Sequence, residues 1–155
     1  MSKQKKKYYL AMCGEYYVAA ELHRRGVPAS ITYGNAKKAD VVALSEGGDA
    51  ATVIEVKTTN QSKWVVGNYV PQPSKKIWVF VYVPSDNAQR PTFYILTQTE
   101  ITDILAPLDS AFRQRYKEKH GVEYGDKPGV CSLKRSDIEG YEDKWEKIER
   151  LLGNW

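Results

Sequence analysis

Cysteine and histidine are almost missing from this chain of 155 residues, with two of each. Cys13 and Cys131 stand far apart, and His23 and His120 have no Cys or His partner at ligand spacing. That excludes a thiolate or imidazole zinc motif and any disulfide framework. The thiols read as reduced side chains in or near the core of a cytoplasmic protein. The histidines, both at expected helix ends, read as structural. Long apolar runs are missing too. No stretch approaches the roughly 18 residues that a membrane span needs. The opening "MSKQKKKYYLAMCGEYY" has positive charge but no long apolar region and no small-residue cleavage site, so it does not read as a signal peptide. No repeat or low-complexity segment occurs, and Gly47/Gly48 is too short a run to cradle a phosphate.

What remains has the makings of one globular domain. The chain is 42% apolar, 27% charged and 12% aromatic, long enough to bury a core but too short for two comfortable ones. A net charge of +4 permits a polyanionic partner. Lysines open the chain (Lys3, Lys5, Lys6, Lys7) and recur as the pairs Lys37/Lys38 and Lys75/Lys76. Terminal lysine runs are ordinarily solvated. Residues 1–7 are therefore read as a basic tail, followed by a single domain over 8–155.

Residues 8–25 lack proline and predict a helix ending at Gly26, with His23, Arg24 and Arg25 suiting its negative end. "ASITYG", "ADVVALS" and "ATVIEVKTT" read as strands, the last two forming a hairpin across the "EGGD" turn. "NQSKWVVGNYVPQPSKK" reads as a loose connection. "IWVFVYVP" predicts a strand buried on both faces, and "TFYILT" another strand. "TEITDILAPL", "DSAFRQRYKEKH" and "EDKWEKIERLLGNW" predict helices, with "YGDKPG" as a loop between the later pieces. The order implies one α/β (α+β) domain, a mixed central sheet flanked by helices, with a helical part over 98–155.

Three acidic residues and a lysine stand out against this frame. In "TVIEVKTT", Val53, Glu55, Lys57 and Thr59 share one face of the strand, and Thr52, Ile54, Val56 and Thr58 the other. A Glu/Lys row on a half-wet sheet is ordinary decoration. The hairpin changes this, because it brings Asp40, at the start of "DVVAL", to the end of the sheet where Glu55 lies. Two carboxylates beside one lysine form a pattern that a divalent cation resolves, since hard cations take oxygen ligands. On the first helix, Glu15 shares a stripe with Ala11, Val18 and Leu22. Tyr16, Tyr17, Ala19 and Ala20 offer a second face that would leave Glu15 wet, and helical spacing does not choose between them.

Glu15 in a first helix, Asp40 opening a strand, and Glu55 and Lys57 in "IEVKTT" resemble the PD-(D/E)XK nuclease superfamily, of the restriction-endonuclease-like fold. The resemblance spans about residues 10–100, and Ala39 stands where the motif's name has proline. It implies a magnesium-dependent DNA endonuclease, manganese substituting, that is structure-selective or partner-directed in repair, recombination or defence. Asp40, Glu55 and the Val56 carbonyl would hold the metal, and Glu15 would be an outer ligand or order metal-bound water. Lys57 would orient or activate the attacking water and stabilise charge on the phosphate. DNA is the implied partner and a homodimer is compatible. Lys37, Lys38, Thr58, Thr59, Gln61, Lys63, Trp64, Lys75 and Lys76 are candidate nucleic-acid contacts, with Trp64 and Tyr69 as candidate stacking residues. The alternatives are a non-catalytic module of the same fold and an α/β interaction scaffold with Glu55 and Lys57 merely solvated.

Overall fold

In the computed structural model, which describes residues 1–32 and 39–153, five strands form one mixed sheet. They are β1 (Ala29–Ile31), β2 (Val41–Leu44), β3 (Ala51–Thr59), β5 (Ile77–Tyr82) and β6 (Thr92–Thr97). The spatial order is β1-β2-β3-β5-β6. All neighbours are antiparallel except β3 and β5, which run parallel. The β2–β3 hairpin closes as read, with Ser45 N–H donating to the Ala50 carbonyl and Gly48 at φ +73°. That positive φ suits a residue without Cβ. β5 is buried along five of its six positions, as its uninterrupted apolar run predicts.

Each sheet face has its own cover. Helix α1 (Lys3–Arg24) contributes Val18 and Leu22, which pack with Ile54, Val56, Ile77, Val79 and Val81. The short helix α4 (Glu146–Leu151) adds Ile148 there, and Trp145 precedes it. The opposite face carries Trp78, Phe80, Tyr94 and Leu96 under Ile101 and Leu105 of helix α2 (Gln98–His120). α2 opens on a capping box of Thr97 and Glu100 and ends on Gly121 in the left-handed region.

Several elements differ from the sequence reading. The lysine run is helical: α1 starts at Lys3, capped by the Ser2 hydroxyl on the Lys5 N–H, so residues 3–7 are no tail. The connection read as loose contains strand β4 (Lys63–Gly67), which pairs antiparallel with β7 (Cys131–Lys134) as a separate two-stranded sheet. The two helices read over 98–120 are one, running through Pro107, whose missing N–H leaves the Asp103 carbonyl without its helical donor. The last predicted helix shrinks to α4, and a four-residue helix α3 (Arg135–Ile138) follows β7. Among the described residues no helix is long and apolar enough to cross a membrane. Cys13 and Cys131 are free and half-buried, and burial raises both thiol pKa values.

Candidate active site

The site forms where β2 stops and β3 runs on. β2 pairs with β3 as far as Val41 opposite Ile54, and the Asp40 N–H adds one bond to the Ile54 carbonyl. Beyond that point β3 keeps only β5, with Glu55 opposite Trp78 and Lys57 opposite Phe80. The Val56 N–H would lose its ladder partner there, and the Asp40 carboxylate supplies one: Oδ2 accepts from it at 2.8 Å. Asp40 is thereby fixed against the Glu55–Val56 peptide unit. The N–H and C=O of one strand residue point the same way, so the Val56 carbonyl lies on Asp40's side of the strand.

Glu55 and Lys57 share the face opposite Ile54 and Val56, as strand alternation predicts. Their charges stand 3.3 Å apart. A second ammonium, Lys76, reaches Glu55 Oε2 at 2.5 Å from the start of β5. Both ammoniums lie over the Trp78 ring, at 5.6 Å and 5.3 Å from its centroid. Burial alone would raise the Glu55 pKa, but the Lys76 hydrogen bond and the charges of Lys57 and Lys76 outweigh it and hold it below the ordinary carboxylate value. The sequence makes Lys76 a candidate nucleic-acid contact, and the structure makes it the ion-pair partner of Glu55. The residue it meets lies 21 positions away, and only the parallel crossover brings them together.

Glu15 comes from the other face. Gly14, Val18 and Leu22 are buried while Tyr16 and Tyr17 are exposed, so the helix turns the Glu15 stripe inward. Gly14 lets α1 lie directly on β3: a Cβ there would stand 1.8 Å from Thr58 Oγ1. Burial and the negative charge of Asp40 push the Glu15 pKa up to about 7. Among the described residues, burial and Asp40 are what act on Glu15, and both oppose its charge.

The structure thus joins the four signature residues two by two: the charge of Asp40 acts on Glu15, and Glu55 is ion-paired with Lys57. Among the described residues no three acids, histidines or cysteines are gathered closely enough to hold a metal ion. The donor chemistry nevertheless suits a hard cation: Asp40, Glu55 and the Val56 carbonyl offer oxygen donors, and the Glu15–Asp40 repulsion is what a positive ion would relieve.

The outer candidates divide. Trp64 is a core residue, 2% exposed, with its indole N–H on the Val81 carbonyl, so its ring cannot stack on a base. Thr59 is buried, its hydroxyl accepting from the Gln61 N–H, and Thr58 Oγ1 is buried with no hydrogen-bond partner among the described residues. Gln61, Lys63, Tyr69 and Lys75 are exposed. Lys37 and Lys38 lie outside the described residues.

The Glu15 environment makes a prediction. A carboxyl group whose folded pKa is raised destabilises the fold as pH climbs, here from about 4.5 to about 7, because the folded state holds its proton longer. Screening by solvent limits the effect to about 1 kcal/mol. Glu15→Gln is therefore expected to melt about 2–4 °C above the parent at pH 8 and level with it at pH 4. Equal melting of the two proteins at both pH values would remove the assigned repulsion.

The five-stranded mixed sheet, its parallel β3–β5 pair and the helices on its two faces agree with the restriction-endonuclease-like fold expected from the sequence. Neither a family model nor a curated protein matches the chain by sequence. Among solved structures it is similar to Hjc, a Holliday junction resolvase from the archaeal hyperthermophile Archaeoglobus fulgidus. The TM-score is 0.50 at 13% identity, over 88% of this chain and 93% of that one. At that identity the likeness is one of fold.

Proposed function

We propose that the protein is a divalent-cation-dependent endonuclease that hydrolyses phosphodiester bonds in DNA. The observation that carries this reading is the Asp40 carboxylate on the Val56 N–H, at the strand end where Glu55 and Lys57 pair. Asp40 and Glu55, with the Val56 carbonyl, would hold magnesium or manganese. When bound, the cation would lower the pKa of water and neutralise phosphate oxygens. Glu15, protonated or ionised near pH 7, would accept or release a proton of water at that edge. Lys57 would place a fixed positive charge where negative charge grows on the phosphate. Glu55 holds Lys57 from one side, and the Trp78 ring supports it from below.

The fold neighbour is a resolvase, so branched DNA is the substrate to try first. A homodimer belongs to the proposal, because a two-fold axis would set two such sites on one branched molecule. Incubation with supercoiled, linear and four-way-branched DNA should give cleavage with manganese or magnesium and none with chelator. A second reading, a non-catalytic DNA-binding module, draws on the closed Glu55–Lys57–Lys76 cluster. Tight binding with no cut product under any cation would decide for the module.

A further inference from the structure

Two hollows adjoin the turn between β3 and β4. One, of about 340 Å³, is lined by Lys7, Lys57 and Lys63 among its residues. The other, of about 550 Å³, is lined by Lys134 and Arg135. They share Asn60 and Gln61, so both border the same turn. Among the described residues that line them there are five cations and no aspartate or glutamate. Lys57 faces Glu55 on its other side, and the charge of Glu142 acts on Arg135.

Two features of this stretch work against the stability of the protein alone. Lys63 and Lys134 are register partners on β4 and β7, and like charges directly opposite one another repel. Lys3, Lys5, Lys6 and Lys7 crowd the first turns of α1, where the helix dipole disfavours cations, and the first turn carries no acid. Both arrangements become favourable once an extended anion lies along them. Arg135 is held in place for such a role: its guanidinium stacks 4.3 Å from the Tyr82 ring centroid and its Nε donates to the Tyr94 hydroxyl. That bond uses one of its five N–H donors.

We propose that Lys7, Lys57, Lys63, Lys134 and Arg135 form a phosphate track, which carries the sugar–phosphate backbone of one nucleic-acid strand from Lys57 around the β3–β4 turn. This rests on the nuclease reading and extends it. It brings in β7 and the first helix, and it gives the separate β4–β7 sheet a role: setting Lys63 and Lys134 side by side. The contacts are to phosphates, so they supply affinity and register and do not read sequence.

The test is the salt dependence of DNA binding, measured by fluorescence anisotropy in chelator. The track variant Lys63→Gln/Lys134→Gln/Arg135→Gln is compared with a charge-matched control, Arg115→Gln/Lys119→Gln/Lys144→Gln, whose residues are exposed and line neither hollow. Removing three phosphate contacts should lower the slope of log K against log salt by about 2–3. Affinity should fall about tenfold or more for linear and branched DNA alike, while the control stays near the parent. A Lys63→Gln single variant checks the fold, since losing one of two repelling charges should leave the melting temperature level or higher. Equal loss of slope in the track and control variants overturns the track and leaves the nuclease reading standing. A parent that binds through the track yet cuts nothing keeps the track and overturns the nuclease reading. A parent that binds no DNA overturns both.

Discussion

Asp40→Asn is expected to abolish cation-dependent cleavage, by about a thousandfold or more, and at the same time to make the cation-free protein slightly more stable. The two effects come from one change. The asparagine oxygen can still accept from the Val56 N–H, so the contact that fixes the end of β2 against β3 survives. What goes is a negative charge. Glu15 loses the repulsion that helps hold its pKa near 7, and the fold gains most above that pH. On the proposed reading a cation would then find one carboxylate fewer, with loss of both nucleophile activation and part of the charge neutralisation on the phosphate. Lys57→Ala should cost about 10²–10³ in kcat through the loss of charge neutralisation alone, with DNA affinity falling only by the share of one phosphate contact. Manganese should raise the melting temperature of the parent but not of Asp40→Asn, since a cation that binds only the folded site stabilises it. Cleavage by Asp40→Asn within tenfold of the parent would sink the assignment.

Gly14→Ala is expected to destabilise the protein by about 1–3 kcal/mol. The expected sign is opposite to that of an ordinary helix position, where alanine is favoured over glycine by about 1 kcal/mol. The reason is local. The new Cβ would lie 1.8 Å from Thr58 Oγ1, 2.8 Å from its Cβ and 2.9 Å from its Cγ2. Turning the threonine about χ1 moves the hydroxyl and the methyl but not the Cβ, so no rotamer clears the overlap. α1 must lift from β3, and Glu15, the next residue, lifts with it. Activity should therefore fall together with stability, and Thr58→Ala in the same chain should restore part of both. Thermal melting and cleavage rates of the two single variants and the double variant would show this. A Gly14→Ala protein as stable as the parent would mean that α1 does not sit this close to the sheet.

What the sequence determined by itself was local. Alternation in "TVIEVKTT" put Glu55 and Lys57 on one face and Ile54 and Val56 on the other. The glycine turn set the β2–β3 register, and the register brought Asp40 to the strand end where Glu55 lies. Helical spacing placed Glu15 with Val18 and Leu22, but the choice between two candidate faces waited for the sheet that covers one of them. The remainder depended on contacts between distant segments. β4 and β7 pair across more than sixty residues, and neither run, four or five residues long and half-exposed, announces a strand without its partner. Lys76 joins Glu55 only because β5 lies parallel beside β3. Trp64, which reads as a loop aromatic, is sealed in because β4 lays it against Phe80 and Tyr94. Periodicity records which side of an element is apolar. Burial, ion pairing and a shifted pKa depend on which other element arrives on that side, and this only the packed chain decides.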